Sequence, residues 1–173
     1  VAGRIESLVL VVFYALSSVI GPFVGQNLSA GKEQRIQQSL RLCAVFCMAI
    51  GLAIALLLAL ASGFLPTLFS QNPDVYNVTR LFLWIAPISY GAYGVVMVMN
   101  AAFNGLGKPM PAVYISATRM IVLYLPMAVL GRQWFGIAGI FGAYAAANLL
   151  SGLLSYVWAR RAARELCRIA DAR

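Results

Sequence analysis

Apolar residues along the chain gather into five runs separated by short polar turns. A hydrocarbon core of about 30 Å, divided by a helical rise of about 1.5 Å per residue, asks for roughly 20 mostly apolar residues per crossing. The runs over 5–24, 40–60, 78–102, 112–130 and 136–158 meet that length. They do not alternate strictly between apolar and polar, as the strands of a membrane barrel do, and unpaired backbone in lipid leaves helices as the other option. The pattern therefore predicts an all-α fold, a polytopic transmembrane helical bundle of five spans over 1–159 with a basic tail over 160–173.

The turns give the orientation. The stretch 22–35, PFVGQNLSAGKEQR, closes the first apolar run near Val24 and carries Lys32, Glu33 and Arg35 before the second run begins. Lys108 lies in the turn after the third run, and Arg160, Arg161, Arg164, Arg168 and Arg173 lie in the tail. The other two turns hold Asp74 with Arg80, and Arg132. Lysine and arginine mark cytoplasmic loops. The first and third turns and the C-terminus are expected in the cytoplasm of a plasma (bacterial inner) membrane, with the N-terminus outside. An external start needs something upstream to deliver it, so the chain is expected to be the C-terminal part of a longer protein.

Composition agrees and narrows the function classes. Hydrophobic residues make up 62% and charged residues 10%, against roughly 45–50% and about 25% in soluble domains. The net charge of +8 fits a collar on anionic lipid better than a nucleic-acid face, since its arginines cluster directly after an apolar run. Cys43 and Cys47 share a helix face, but a chain without histidine lacks the further ligands of a zinc site. The same lack removes the commonest general base, so an enzyme is not expected. FNGLGKP at 103–109 is no phosphate loop, because Ala102 stands where the first glycine belongs and Pro109 follows Lys108.

Small and polar residues line one face of several runs. In the third, Pro87, Tyr90, Gly94, Met97, Ala101 and Asn104 share a face, and in the fifth Ala145, Asn148, Gly152 and Ser155 do. Such seams mark close helix contacts. Tyr90, Met97, Asn100 and Asn104 are also candidates to border a polar path for bulky amphipathic molecules, which favour aromatic and thioether surfaces. Glu6 and Arg119 are ionisable residues at or in the apolar zone, which makes them candidates for an ion or substrate path. The prolines Pro22, Pro66, Pro87 and Pro126 are expected at kinks or helix ends.

Taken together, these residues resemble the multidrug and toxic compound extrusion (MATE) transporters. Gly25, Gln26, Asn27, Leu28, Ser29, Ala30, Gly31 and Lys32, with Arg35 following, are similar to the family pattern GQNLGAG and then an arginine; Ser29 stands where glycine is usual. Asn104, Gly105, Leu106, Gly107, Lys108 and Pro109, then Arg119, Pro126, Gly139, Ala147 and Asn148, continue the likeness. The resemblance implies a twelve-helix, two-lobed transporter, of which this chain would be helices eight to twelve, a partial second half. It implies export of amphipathic or cationic small molecules in exchange for sodium ions or protons, with no cofactor beyond that coupling ion. The family's coupling carboxylates in this half are not carried over, since 78–102 contains no acid; the missing N-terminal half is the expected partner for coupling. The rivals are a flippase for lipid-linked sugars, which should carry several arginines in its cavity where this chain offers Arg119, and a non-transporting membrane scaffold.

Overall fold

The computed structural model describes residues 2–69 and 72–171. Val1 and Arg173, the ends of the bundle and tail drawn from the sequence, lie outside them. Helices α1 (Ala2–Ser29) and α2 (Glu33–Ala61) are followed by the short α3 (Leu65–Phe69). Helix α4 (Pro73–Ile85) passes through a 3₁₀ turn (Ala86–Ser89) into α5 (Tyr90–Gly105). Helix α6 (Met110–Ala117) runs through a π segment (Thr118–Tyr124) into α7 (Leu125–Asp171). Among the described residues there is no strand.

The helices begin and end for local reasons. Asn72 caps α4 by accepting from the Asp74 N–H at 2.9 Å, with Pro73 in the first turn, where its missing donor costs nothing. Helices α1 and α5 stop in the same way. Gly31 (φ 64°) and Gly107 (φ 71°) enter the left-handed region that glycine alone adopts without strain. Beyond them Lys32 donates to Asn27 O at 2.9 Å and Lys108 to Phe103 O at 3.0 Å, while Gly31 and Gly107 donate to Leu28 O and Asn104 O. The two Gly-Lys pairs are therefore helix stops of one design. The first turn is shorter than the sequence pattern indicates, because α1 carries through Pro22 to Ser29 before reaching Gly31.

The last two spans form one 60-residue helical run, 110–169. Gly136, at φ 61° and ψ −135°, breaks it. A straight helix would separate Gly131 from Gly139 by about 12 Å, yet their backbones touch, so the run folds back on itself and makes two crossings. Five spans result. Just before the reversal, the Leu125 N–H reaches back five residues to Met120 O. Pro126 next to it has no N–H to continue the regular ladder, and the preceding turn widens.

Helix α5 is the axis of the bundle, with α1, α2 and α7 packed around it. In the most apolar windows 67% of 73–105 is buried, against 28% of 6–29 and 22% of 33–61. Apolar side chains gain nothing by leaving lipid for one another, so close approach depends on small residues. Backbone meets backbone where Gly21 crosses Gly105 and Gly51 crosses Gly91, while Gly94 accepts the ring of Phe13. The outward faces carry Leu8, Leu60, Leu57 and Leu153 in the open, as lipid-facing surfaces do. The second arm of α7 continues without a break past residue 159 to Asp171, and Ala162, Ala163 and Cys167 within it are buried. Gln37 of α2 holds that arm by donating to Arg160 O at 2.9 Å and accepting from Arg160 Nε at 2.8 Å.

Candidate functional site

The 3₁₀ turn at Ala86–Ser89 rotates the start of α5 so that Ser89, Tyr90 and Tyr93 face the π segment and the second arm of α7. There a chain of polar side chains crosses the spans. Arg119 Nη1 donates to Asn148 Oδ1 at 3.0 Å, and Asn148 Nδ2 donates to Ser89 Oγ at 3.1 Å. Asn148 and Ser89 are fully buried. The Arg119 guanidinium also lies over the Tyr93 ring, 4.6 Å from its centre. Its partners are neutral, and its buried Nε has none. One turn before Asn148 on the same face, the Tyr144 hydroxyl donates to Glu6 Oε1 of α1. The Tyr124 ring stands edge-on to Tyr144 at 6.1 Å.

Tyr90 is the largest fully buried side chain, and its hydroxyl, unpartnered, lies within electrostatic reach of Glu6 and Tyr144. Burying such a group without a partner costs roughly 1–3 kcal/mol. A cation and an anion thus sit in one neighbourhood without touching, linked by Tyr144 and Asn148. That arrangement can hold a small ion or present both charge signs and the rings of Tyr93, Tyr124 and Tyr144 to a ligand; it has no nucleophile set against a base. Among the described residues no group of three or more potential metal ligands of the histidine, cysteine or carboxylate kind occurs.

Of the residues singled out in the sequence, Glu6, Tyr90 and Arg119 come together here. Tyr90 is packed into the core and does not border open space. Met97 is half-buried and lies two turns further along α5. Asn100 donates to Ser116 Oγ at 3.1 Å, with its own carbonyl oxygen buried and unpartnered. Asn104 is exposed at the end of α5, where it takes part in the helix stop. Gly25 packs a turn away against Gly105 O, Asn27 bonds back to Phe23 O at 2.8 Å, Gln26 is exposed, and Pro109 precedes α6. Ser89, Tyr93 and Tyr144 are members that sequence reasoning missed. The i, i+4 spacing of Tyr144 and Asn148 on an apolar helix was the available signal.

The MatE family model matches residues 1–130. A protein of Shewanella oneidensis named FAD transporter is 36% identical over 158 residues, which make up 91% of this chain and 35% of that protein. The Vibrio cholerae MATE transporter VcmN, in its bent form, has a TM-score of 0.92 at 32% identity, covering 95% of this chain and 38% of VcmN. A multidrug resistance MATE family transporter in an inward-facing conformation has a TM-score of 0.87 at 16% identity, over 95% of this chain and 39% of that one, which shows a common fold. The chain spans 35% of the length of the curated relative.

Proposed function

The chain belongs to the MatE family, and we propose that it is part of one lobe of a secondary-active exporter. The full protein would move amphipathic or cationic small molecules by alternating access, driven by a sodium or proton gradient. It would lie in the bacterial inner membrane with the Lys32 and Lys108 turns in the cytoplasm. The observation that carries this reading is the polar chain Glu6, Tyr144, Asn148 and Arg119 inside apolar spans. Polar groups at that depth are costly and mark ion or substrate paths. Glu6 is the acid of the path, Tyr93 and Tyr144 are its aromatic faces, and Tyr90 is packed in the core beside them. Met97, Asn100 and Asn104 follow along α5 toward the cytoplasmic end.

Arg119 supports a second reading. A cation inside the span suits a phosphate-bearing ligand, and a 36% identical relative is named FAD transporter. A flavin dinucleotide would set its phosphates on Arg119 and its rings on the tyrosines. A lipid-linked sugar presents the same diphosphate but no ring system to lie on Tyr93, Tyr124 and Tyr144, so it makes less use of the path.

Cells expressing the full-length protein decide among these. Lowered ethidium accumulation that is lost when the ion gradients are dissipated supports the multidrug reading. Unchanged ethidium with raised flavin dinucleotide in the medium supports the second. No change in either compound overturns both.

A further inference from the structure

On the face of α5 nearly opposite the polar chain, a groove of about 720 Å³ runs between α2 and the second arm of α7. Its floor is Gly91, Ala92 and Val95, where the small residues keep it deep. Met48 and Leu52 of α2 and Leu153 of α7 form its walls and are exposed. Polar groups enter only at one end. Arg41 lines the groove there, and Tyr156 closes it, its hydroxyl accepting from Arg160 Nη1 at 3.2 Å. Arg160 is fixed in turn by Gln37, one turn before Arg41. Two guanidinium groups with neutral partners or open surroundings therefore stand at the mouth of an oily channel.

The dimensions identify what fits. Arg41 to Leu52 is eleven residues along α2, or about 16 Å at a rise of about 1.5 Å per residue. Half of a hydrocarbon core of about 30 Å is nearly the same length. The groove thus spans one leaflet, with its cationic end at headgroup depth on the side of the Lys32 and Lys108 turns. Basic pockets between spanning helices are the general form of anionic headgroup sites.

We propose that this groove binds one anionic phospholipid from the leaflet on the side of the basic turns. Its phosphate bonds Arg41 beside Arg160, and an acyl chain lies along Met48 and Leu52 over the α5 floor. The placement rests on the membrane orientation proposed above, but the test reads bound lipid and not transport, so loss of the exporter reading leaves it standing.

The test is native mass spectrometry of the full-length protein in detergent, titrated with phosphatidylglycerol and, separately, phosphatidylcholine. Wild type is expected to retain phosphatidylglycerol preferentially. Arg41→Ala, at an exposed position, is expected to lower that preference about fivefold, the worth of one basic residue at a lipid surface, and Arg41→Lys to keep most of it. Ile88→Trp, which fills the groove from its rim, is expected to reduce retention of both lipids. Equal retention of the two lipids by wild type overturns the proposal. So does an unchanged preference in Arg41→Ala, unchanged retention in Ile88→Trp, or no retained lipid because other parts of the full protein cover the groove.

Discussion

Arg119 Nη1 and Asn148 Oδ1 stand 3.0 Å apart although 29 residues separate them in the chain. The pair ties the π segment to the last span, and Asn148 extends the tie to Ser89 on the central strut of the bundle. Asn148→Leu removes both bonds and strands the guanidinium in an apolar surround. Hydrogen bonds between spanning helices are worth about 0.6 kcal/mol on average, and an unpartnered buried group costs more. The expected loss is about 2 kcal/mol, read as a fall of several degrees in the thermal unfolding midpoint in detergent. Asn148→Asp, which gives Arg119 an opposite charge, is expected to recover most of it.

Glycine contacts set an order of tolerance. A methyl group on Gly105 meets the Gly21 backbone directly, whereas one on Gly21 comes no closer than 3.2 Å to Ala101 O, and one on Gly63 meets nothing within 4 Å. Gly105→Ala should therefore cost the most, about 2 kcal/mol or more as helix α1 is pushed from α5. Gly21→Ala should cost less, and Gly63→Ala should stay within about 0.5 kcal/mol of wild type. Unfolding midpoints of the three variants in one detergent check the ranking.

The two helix stops respond to a different change. Gly31→Ala and Gly107→Ala place a side chain at φ near 64° and 71°, where left-handed geometry costs roughly 1–2 kcal/mol per residue. Space is not the issue at Gly107, where a Cβ meets nothing within 4 Å. Asparagine, which tolerates this region, should cost less than alanine at Gly107, and the difference between the two variants measures the backbone component.

Orientation can be read in intact cells. With the native cysteines replaced, Arg132→Cys in the full-length protein is expected to react with a membrane-impermeant maleimide added outside. Lys32→Cys and Lys108→Cys are expected to react only after the cells are opened. Labelling of all three from outside would contradict the cytoplasmic assignment of the basic turns.

What could be read from the sequence follows the range of the interactions. Span lengths depend on hydropathy summed over about 20 neighbours, and the runs 40–60 and 78–102 fall inside the helices at Glu33–Ala61 and 73–105. Gly31 and Gly107 were legible as turn residues because a helix stop is complete within six residues. Ser89 was not legible as a partner of Asn148, 59 residues away, because its face depends on the 3₁₀ turn at Pro87. Without that turn a regular helix would aim Ser89 elsewhere. Tyr90 looked like a lining residue on its wheel, yet packing on three sides of α5 buries it. A helical wheel gives direction, and the number of neighbours in that direction is settled only by the rest of the chain.

The distance between Ser89, Arg119 and Asn148 along the chain also sets an order of events. As the polypeptide is synthesised, the helix stop after α1 can form as soon as Lys32 follows Asn27. Ser89 and Arg119 reach the bilayer before Asn148, the residue that binds them both, follows. Until the last helix is threaded, the arginine must stay hydrated or lean toward the headgroups. The span that carries Asn148 is then the latch: its arrival draws the earlier helices into register, so interrupting synthesis before it would leave Ser89 and Arg119 unanswered.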